Sequence, residues 1–147
     1  MTAPPPATPN ARVQRIVVAY DGSQSSARAV RFALGLSSGG EVWIVHATDP
    51  PRTVAEPRTE EEQGSESEAI RQSLESIQSS PDPSGTRVHV WIREGRAATV
   101  VLHAATEVAA DLIVVGTRGL RGAGRLLLGS VSTEVLVRSG RPVTVVP

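Results

Sequence analysis

The chain has 147 residues, the size of a single domain, and its fifteen basic and fifteen acidic side chains cancel to a formal charge of zero, so no global field draws it to nucleic acid or a membrane. All fifteen basic residues are arginines and cysteine is absent, which excludes Schiff-base lysines, phosphate loops that need a lysine, disulfides, thiolate metal sites and cysteine nucleophiles. With no cysteine and no run of eighteen apolar residues, a soluble, cytoplasmic protein is expected.

Residues 1–12 include three consecutive prolines and no apolar period; they are expected to form a disordered arm ahead of one domain over 13–147. Residues 16–20 then read as a first strand. Ala27, Val30 and Leu34 recur at helical spacing and stop at Gly39 and Gly40, and residues 41–47 form a second strand. The stretch 49–64 reads as irregular and solvated, with Glu60, Glu61, Glu62, Glu66 and Glu68 clustered at and just beyond its end. Ile70, Leu74 and Ile77 mark a second helix, 79–85 a second irregular stretch, and 86–92 a third strand. Ala97, Val101, Ala104 and Val108 mark a third helix, and 111–116 a fourth strand. Leu128, Val131 and Val135 mark a fourth helix that stops at Gly140, before a fifth strand over 142–146.

This alternation predicts an α/β fold: a single open, doubly wound, five-stranded parallel sheet with right-handed crossovers and helices on both faces. Residues 16–18 and 112–115 are apolar on both alternating faces, as covered central strands are. The third strand sets His89 among apolar neighbours and the fifth opens on Pro142, so both belong at edges. The order is then 3-2-1-4-5. Ligands of such sheets bind beyond the carboxyl ends where the order reverses, here after Tyr20 and after Val115.

The segment after Val115 carries Gly116, Gly119, Gly122, Gly124 and Gly129, then Ser130 and a helix. Glycines let main-chain amides converge on phosphate oxygens, and the helix start adds its positive end. The same residues could instead form a plain flexible loop with a Gly-Ser helix start. A Walker loop is excluded because no lysine precedes Ser130. A dinucleotide fingerprint is excluded because the first strand is followed only by Asp21, Gly22 and Ser23.

Gly116 and Gly119, nine residues, then Gly129 and Ser130, together with residues 18–23, 45–47 and 111–116, resemble the ATP-binding universal stress proteins. The likeness runs from about Val13 to Pro147. It implies a bound adenine nucleotide, ATP, with Ala19 and Asp21 at the end of strand 1, Asp21 facing the ribose and phosphates and able to hold an accompanying Mg²⁺. It places the main chain of Ala47 at the adenine edge, and Gly116, Gly119, Arg121, Gly129, Ser130, Val131 and Ser132 around the phosphates. Read from the residues alone, Asp21 also suits an Asx-turn before a helix capped by Ser23 or Ser25, and the two roles can coexist. Arg118, Arg121 and Arg125 suit either a phosphate or a solvated surface.

His46, His89 and His103 lack metal-ligand spacing, and His46 reads as a structural hydrogen bond at a strand end. No GxSxG elbow occurs, which argues against a hydrolase triad. Trp43 and Trp91 read as packing residues rather than base-stacking platforms. The expected function is an ATP-binding regulator whose nucleotide changes the surface shown to a protein partner. A slow ATP hydrolase or nucleotidyl-transfer enzyme and a dimeric scaffold with a vestigial site are the alternatives. The uncovered fifth strand, which in the resembled family commonly pairs with a second copy, points to a homodimer.

Overall fold

The apolar runs and helical periods of the chain become nine elements in a computed structural model that describes residues 12–48, 60–117 and 128–147. The proline-rich arm up to residue 11, the expected irregular stretch up to residue 59, and Arg118, Gly119, Arg121 and Arg125 lie outside the described residues. The elements are β1 (Arg15–Ala19), α1 (Gln24–Ser37), β2 (Glu41–Thr48), α2 (Glu60–Ser79), β3 (Arg87–Glu94), α3 (Ala97–Glu107), β4 (Leu112–Gly116), α4 (Ser130–Arg138) and β5 (Val143–Val146). All strand pairs are parallel and the order is β3-β2-β1-β4-β5.

Period-two alternation splits the core between the two faces. Ile16, Val18, Val42, Ile44, Leu112 and Val114 pack with Ala29, Val30 and Ala33 of α1 and with Ile70 and Leu74 of α2. Val17, Trp43, Val45, Ile113 and Val115 pack instead with Ala98, Val101 and Ala105 of α3 and with Val135 of α4. Ile16, Val17, Val18, Ile44 and Ile113 are fully buried, each contributing about 1.5–3 kcal/mol relative to exposure.

Several boundaries differ from the sequence expectation. α2 begins at Glu60, inside the stretch expected to be irregular, so a polar run of glutamates is helical without an apolar stripe of its own. β3 is displaced downstream, to Arg87–Glu94, because register with the whole of β2 carries it to Glu94 opposite Thr48. Leu128 is not in the fourth helix and is exposed; α4 starts at Ser130 and stops at Arg138, where the Ser139 amide turns back to the Val135 carbonyl. Val108 caps α3 rather than extending it.

At the β3 edge, Arg87 and His89 both reach Glu41 on β2, each at 2.9 Å. The His89 hydrogen bond is the main reason the Glu41 carboxyl sits below its ordinary value. Trp43 stacks on the His89 ring with centroids 4.8 Å apart. At the other edge, the Ile113 amide donates to Pro142 and the Thr117 amide to Val146. The main chain of even-numbered β5 residues therefore faces β4, and alternation turns that of Val143 and Val145 outward.

Candidate functional site

Beyond the carboxyl ends of β1, β2 and β4 lies a cleft at the reversal of strand order. β1 and the turn after it contribute Ala19, Tyr20 and Asp21; β2 contributes Val45, His46 and Ala47. β4 contributes Val115 and Gly116, and the start of α4 contributes Gly129, Ser130, Val131 and Ser132. Ala97 and Val101, one turn apart on α3, give the cleft an apolar wall, and Ser26 of α1 reaches it from the other face. Of the site residues expected from sequence, all except Gly119 and Arg121 meet here, and those two lie outside the described residues.

The turn after β1 is tightly self-bonded. Asp21 Oδ1 accepts the Ser23 amide at 2.9 Å, an Asx-turn, and Ser23 Oγ accepts the Ser26 amide at 3.2 Å as the N-cap of α1. Gly22 lies between them at φ +84°, a conformation that favours glycine. The cap is thus Ser23 and not Ser25, which lies inside the helix and is buried.

The start of α4 is built differently. Its N-cap is Gly129, with no side-chain cap, and the buried Ser132 hydroxyl turns away to the Gly129 carbonyl at 2.9 Å. Among the described residues no side chain caps the amides of Ser130, Val131 and Ser132 at the cleft, where they and the helix dipole favour an anion.

Gly116 has a cause that the glycine spacing does not reveal. A Cβ there would come within 2.5 Å of Ser25 Oγ and 2.9 Å of the Ser25 and Ser26 backbone. The missing side chain lets α1 cross β4 closely, so packing alone requires this glycine, whatever binds beside it.

Ser26, Val45, Ala97, Val101 and Val115 were not singled out as site residues. The signal for Ala97 and Val101 was their i,i+4 spacing on the apolar face of α3; nothing in the sequence marks Ser26 apart from its neighbouring serines. Among the described residues, no group of three His, Asp or Glu side chains is placed to hold a metal ion. No described helix is long and apolar enough to cross a membrane. A second groove, between α1 and α2, is lined by Leu34, Ile77 and Val88 and involves neither the strand carboxyl ends nor a helix N-terminus.

The model of the universal stress protein family matches residues 12–147. The chain belongs to the universal stress protein family. It is 36% identical over 137 residues to the universal stress protein in the QAH/OAS sulfhydrylase 3′ region of Thermus aquaticus, covering 89% of this chain and 96% of that one. Among solved structures, the hypothetical protein MJ0577 has the same fold, with a TM-score of 0.76 at 22% identity over 92% of this chain and 96% of its own. A universal stress protein in complex with cAMP aligns with a TM-score of 0.66 at 29% identity, over 92% of this chain and 98% of its own.

Proposed function

We propose that this universal stress protein is an adenine-nucleotide-binding regulator that holds ATP across the carboxyl ends of β1, β2 and β4. The observation that carries this reading is the uncapped first turn of α4 facing a cleft at the switch point. The relative complexed with cAMP adds weight, since cAMP is an adenine nucleotide.

In this reading the base lies against Ala97 and Val101, read by the main chain of Ala47, while Ala19 and Gly116 floor the cleft. Ser130, Val131 and Ser132 hold phosphate through main-chain amides, Gly129 gives it room at the helix start while its own amide donates to the Thr117 carbonyl, and Gly119 and Arg121 join them from the glycine segment. Asp21 is a single carboxylate, which suits Mg²⁺, an ion usually held by one or two carboxylates together with phosphates and water. Asp21 would hold that ion, whose chemistry is to screen phosphate charge. The signal is binding itself: ATP changes the surface shown to a protein partner as far as its affinity differs between the states that partner distinguishes.

Calorimetric titration with ATP and GTP tests the reading. Main-chain readout of the base predicts that ATP binds about ten-fold or more tightly, the usual effect of leaving one polar group of a site without its partner. Binding of neither nucleotide would overturn the proposal, and equal binding would reduce it to recognition of phosphate alone. Product analysis of the same samples separates binder from hydrolase.

We also propose a homodimer through β5. Val143 and Val145 turn their main chain outward, and α4 beside them exposes Leu136 at 46% and Val137 at 77%. Two copies pairing antiparallel about a two-fold axis would satisfy both strand edges and cover these side chains. Val145→Pro removes one outward amide and spares the β4 ladder. It should convert a dimer to a monomer in light scattering at micromolar concentration while ATP binding persists; a monomeric wild-type protein overturns the assignment.

A further inference from the structure

His46 lies at the rim of the cleft with its Nδ1 2.8 Å from the carbonyl oxygen of Tyr20. A carbonyl only accepts, so Nδ1 carries the proton and donates it. The residue that receives this bond is the point at which β1 leaves the sheet: the Tyr20 amide donates to the Val45 carbonyl at 2.9 Å, and the next residue is Asp21 of the capped turn.

The phase of the β2 main chain gives the bond its meaning. The Glu41 amide donates to Gln14, and the Val45 carbonyl accepts from Tyr20, both on the β1 side. The Gly40 and Thr48 carbonyls accept from Arg87 and Gly95, on the β3 side. Ala47 is in phase with Glu41 and Val45, so its N–H and C=O face the β1 side, beyond the point where β1 has ended. In an uninterrupted parallel ladder the Ala47 amide would donate to the Tyr20 carbonyl. No main-chain bond joins these residues among those described, and the His46 imidazole stands at that oxygen.

We infer that His46 is a positioning residue for base recognition, occupying the Tyr20 carbonyl so that the main chain of Ala47 stays presented to the cleft. The inference rests on the adenine-nucleotide reading above and adds to it the side chain that keeps the base-reading amide open. The same bond ties the turn bearing Asp21 to the end of β2, so the two ends of the proposed nucleotide site are set at a fixed spacing by one imidazole.

The test uses three variants of the full chain, titrated with ATP and with GTP. In His46→Asn the amide nitrogen lies where Nδ1 lies, and ATP affinity and preference should both stay close to wild type. In His46→Ala the donor is lost and the Ala47 amide can close onto Tyr20, so ATP affinity should fall about ten-fold and the margin over GTP should vanish. His46→Gln carries its donor at the position of Nε2 and should behave as His46→Ala does. Rescue by Gln and not by Asn would overturn the inference, since it would mean that Nε2 acts directly on the ligand. Unchanged binding in all three would overturn it as well. If His46→Ala fails to fold, the contrast between Asn and Gln decides.

Amide hydrogen exchange without nucleotide separates this inference from the reading beneath it. The Ala47 amide should exchange rapidly in the wild type and in His46→Asn and become protected in His46→Ala or His46→Gln. Identical Ala47 exchange in all of them overturns the clamp. The expected exchange pattern in a protein that binds no ATP overturns the nucleotide reading, and the clamp stands as a feature of the fold.

Discussion

Of the helices that begin at the cleft, α1 and α4 approach it from opposite faces of the sheet, and they begin in opposite ways. α1 closes its own first turn with Ser23, backed by the Asx-turn of Asp21. α4 has Gly129 as its N-cap, with no side chain to close the turn, and its Ser132 hydroxyl turns to a carbonyl instead. Equal helix dipoles therefore serve different ends: one N-terminus is satisfied within the protein and fixes a turn, the other keeps its amides for something that arrives. Position at a switch point is shared by both; the identity of one capping residue separates them.

That contrast can be broken most severely at Gly116, where a side chain meets the backbone of α1 rather than an open space. Gly116→Val should cost about 3 kcal/mol or more by overpacking, seen as a large drop in thermal midpoint or as loss of soluble protein. An unperturbed melt would show that α1 can move away from β4. Next comes Gly129→Asp, which supplies α4 with the cap it lacks and places a carboxylate where phosphate is proposed to sit. ATP affinity should fall about 100-fold through charge repulsion and competition for the same amides, while the thermal midpoint holds or rises. Binding and stability would then move in opposite senses, an outcome that simple damage to the helix cannot produce. The smallest effect belongs to Ser23→Ala. Losing the α1 cap should cost about 1 kcal/mol of stability, read by chemical denaturation, and leave ATP affinity within a few-fold. A loss of binding as large as that of Gly129→Asp would mean that both helix starts serve the ligand.

Much of this arrangement was legible in the chain. Residues 16–18 and 112–115 are apolar on both faces and could only be central, and Pro142 marks an edge, so the strand order followed from covering rules. The cleft followed from that order. What escaped was whatever depends on a neighbour distant in sequence. The glutamates at the start of α2 have no apolar period to announce a helix. Gly116 looks like one more glycine of a phosphate loop until Ser25 and Ser26 are seen against it. The hydrogen bond of His46 was foreseen as structural; that it takes the oxygen the Ala47 amide would have used depends on the phase of two strands, which no single run of residues encodes.

The placement of the chromophores has a practical side. Trp43 and Trp91 are the only tryptophans and Tyr20 the only tyrosine, and they divide the molecule between them. The tryptophans belong to β2 and β3, one stacked on His89 and the other beneath the Arg93 guanidinium, 3.9 Å from its ring centre. Tyr20 borders the cleft. A red shift of the indole emission on denaturation thus reports the opening of one rim of the sheet, and ultraviolet difference absorbance of the phenol reports the switch point. Two optical windows, native to the chain and needing no label, look onto regions whose unfolding can be timed against each other.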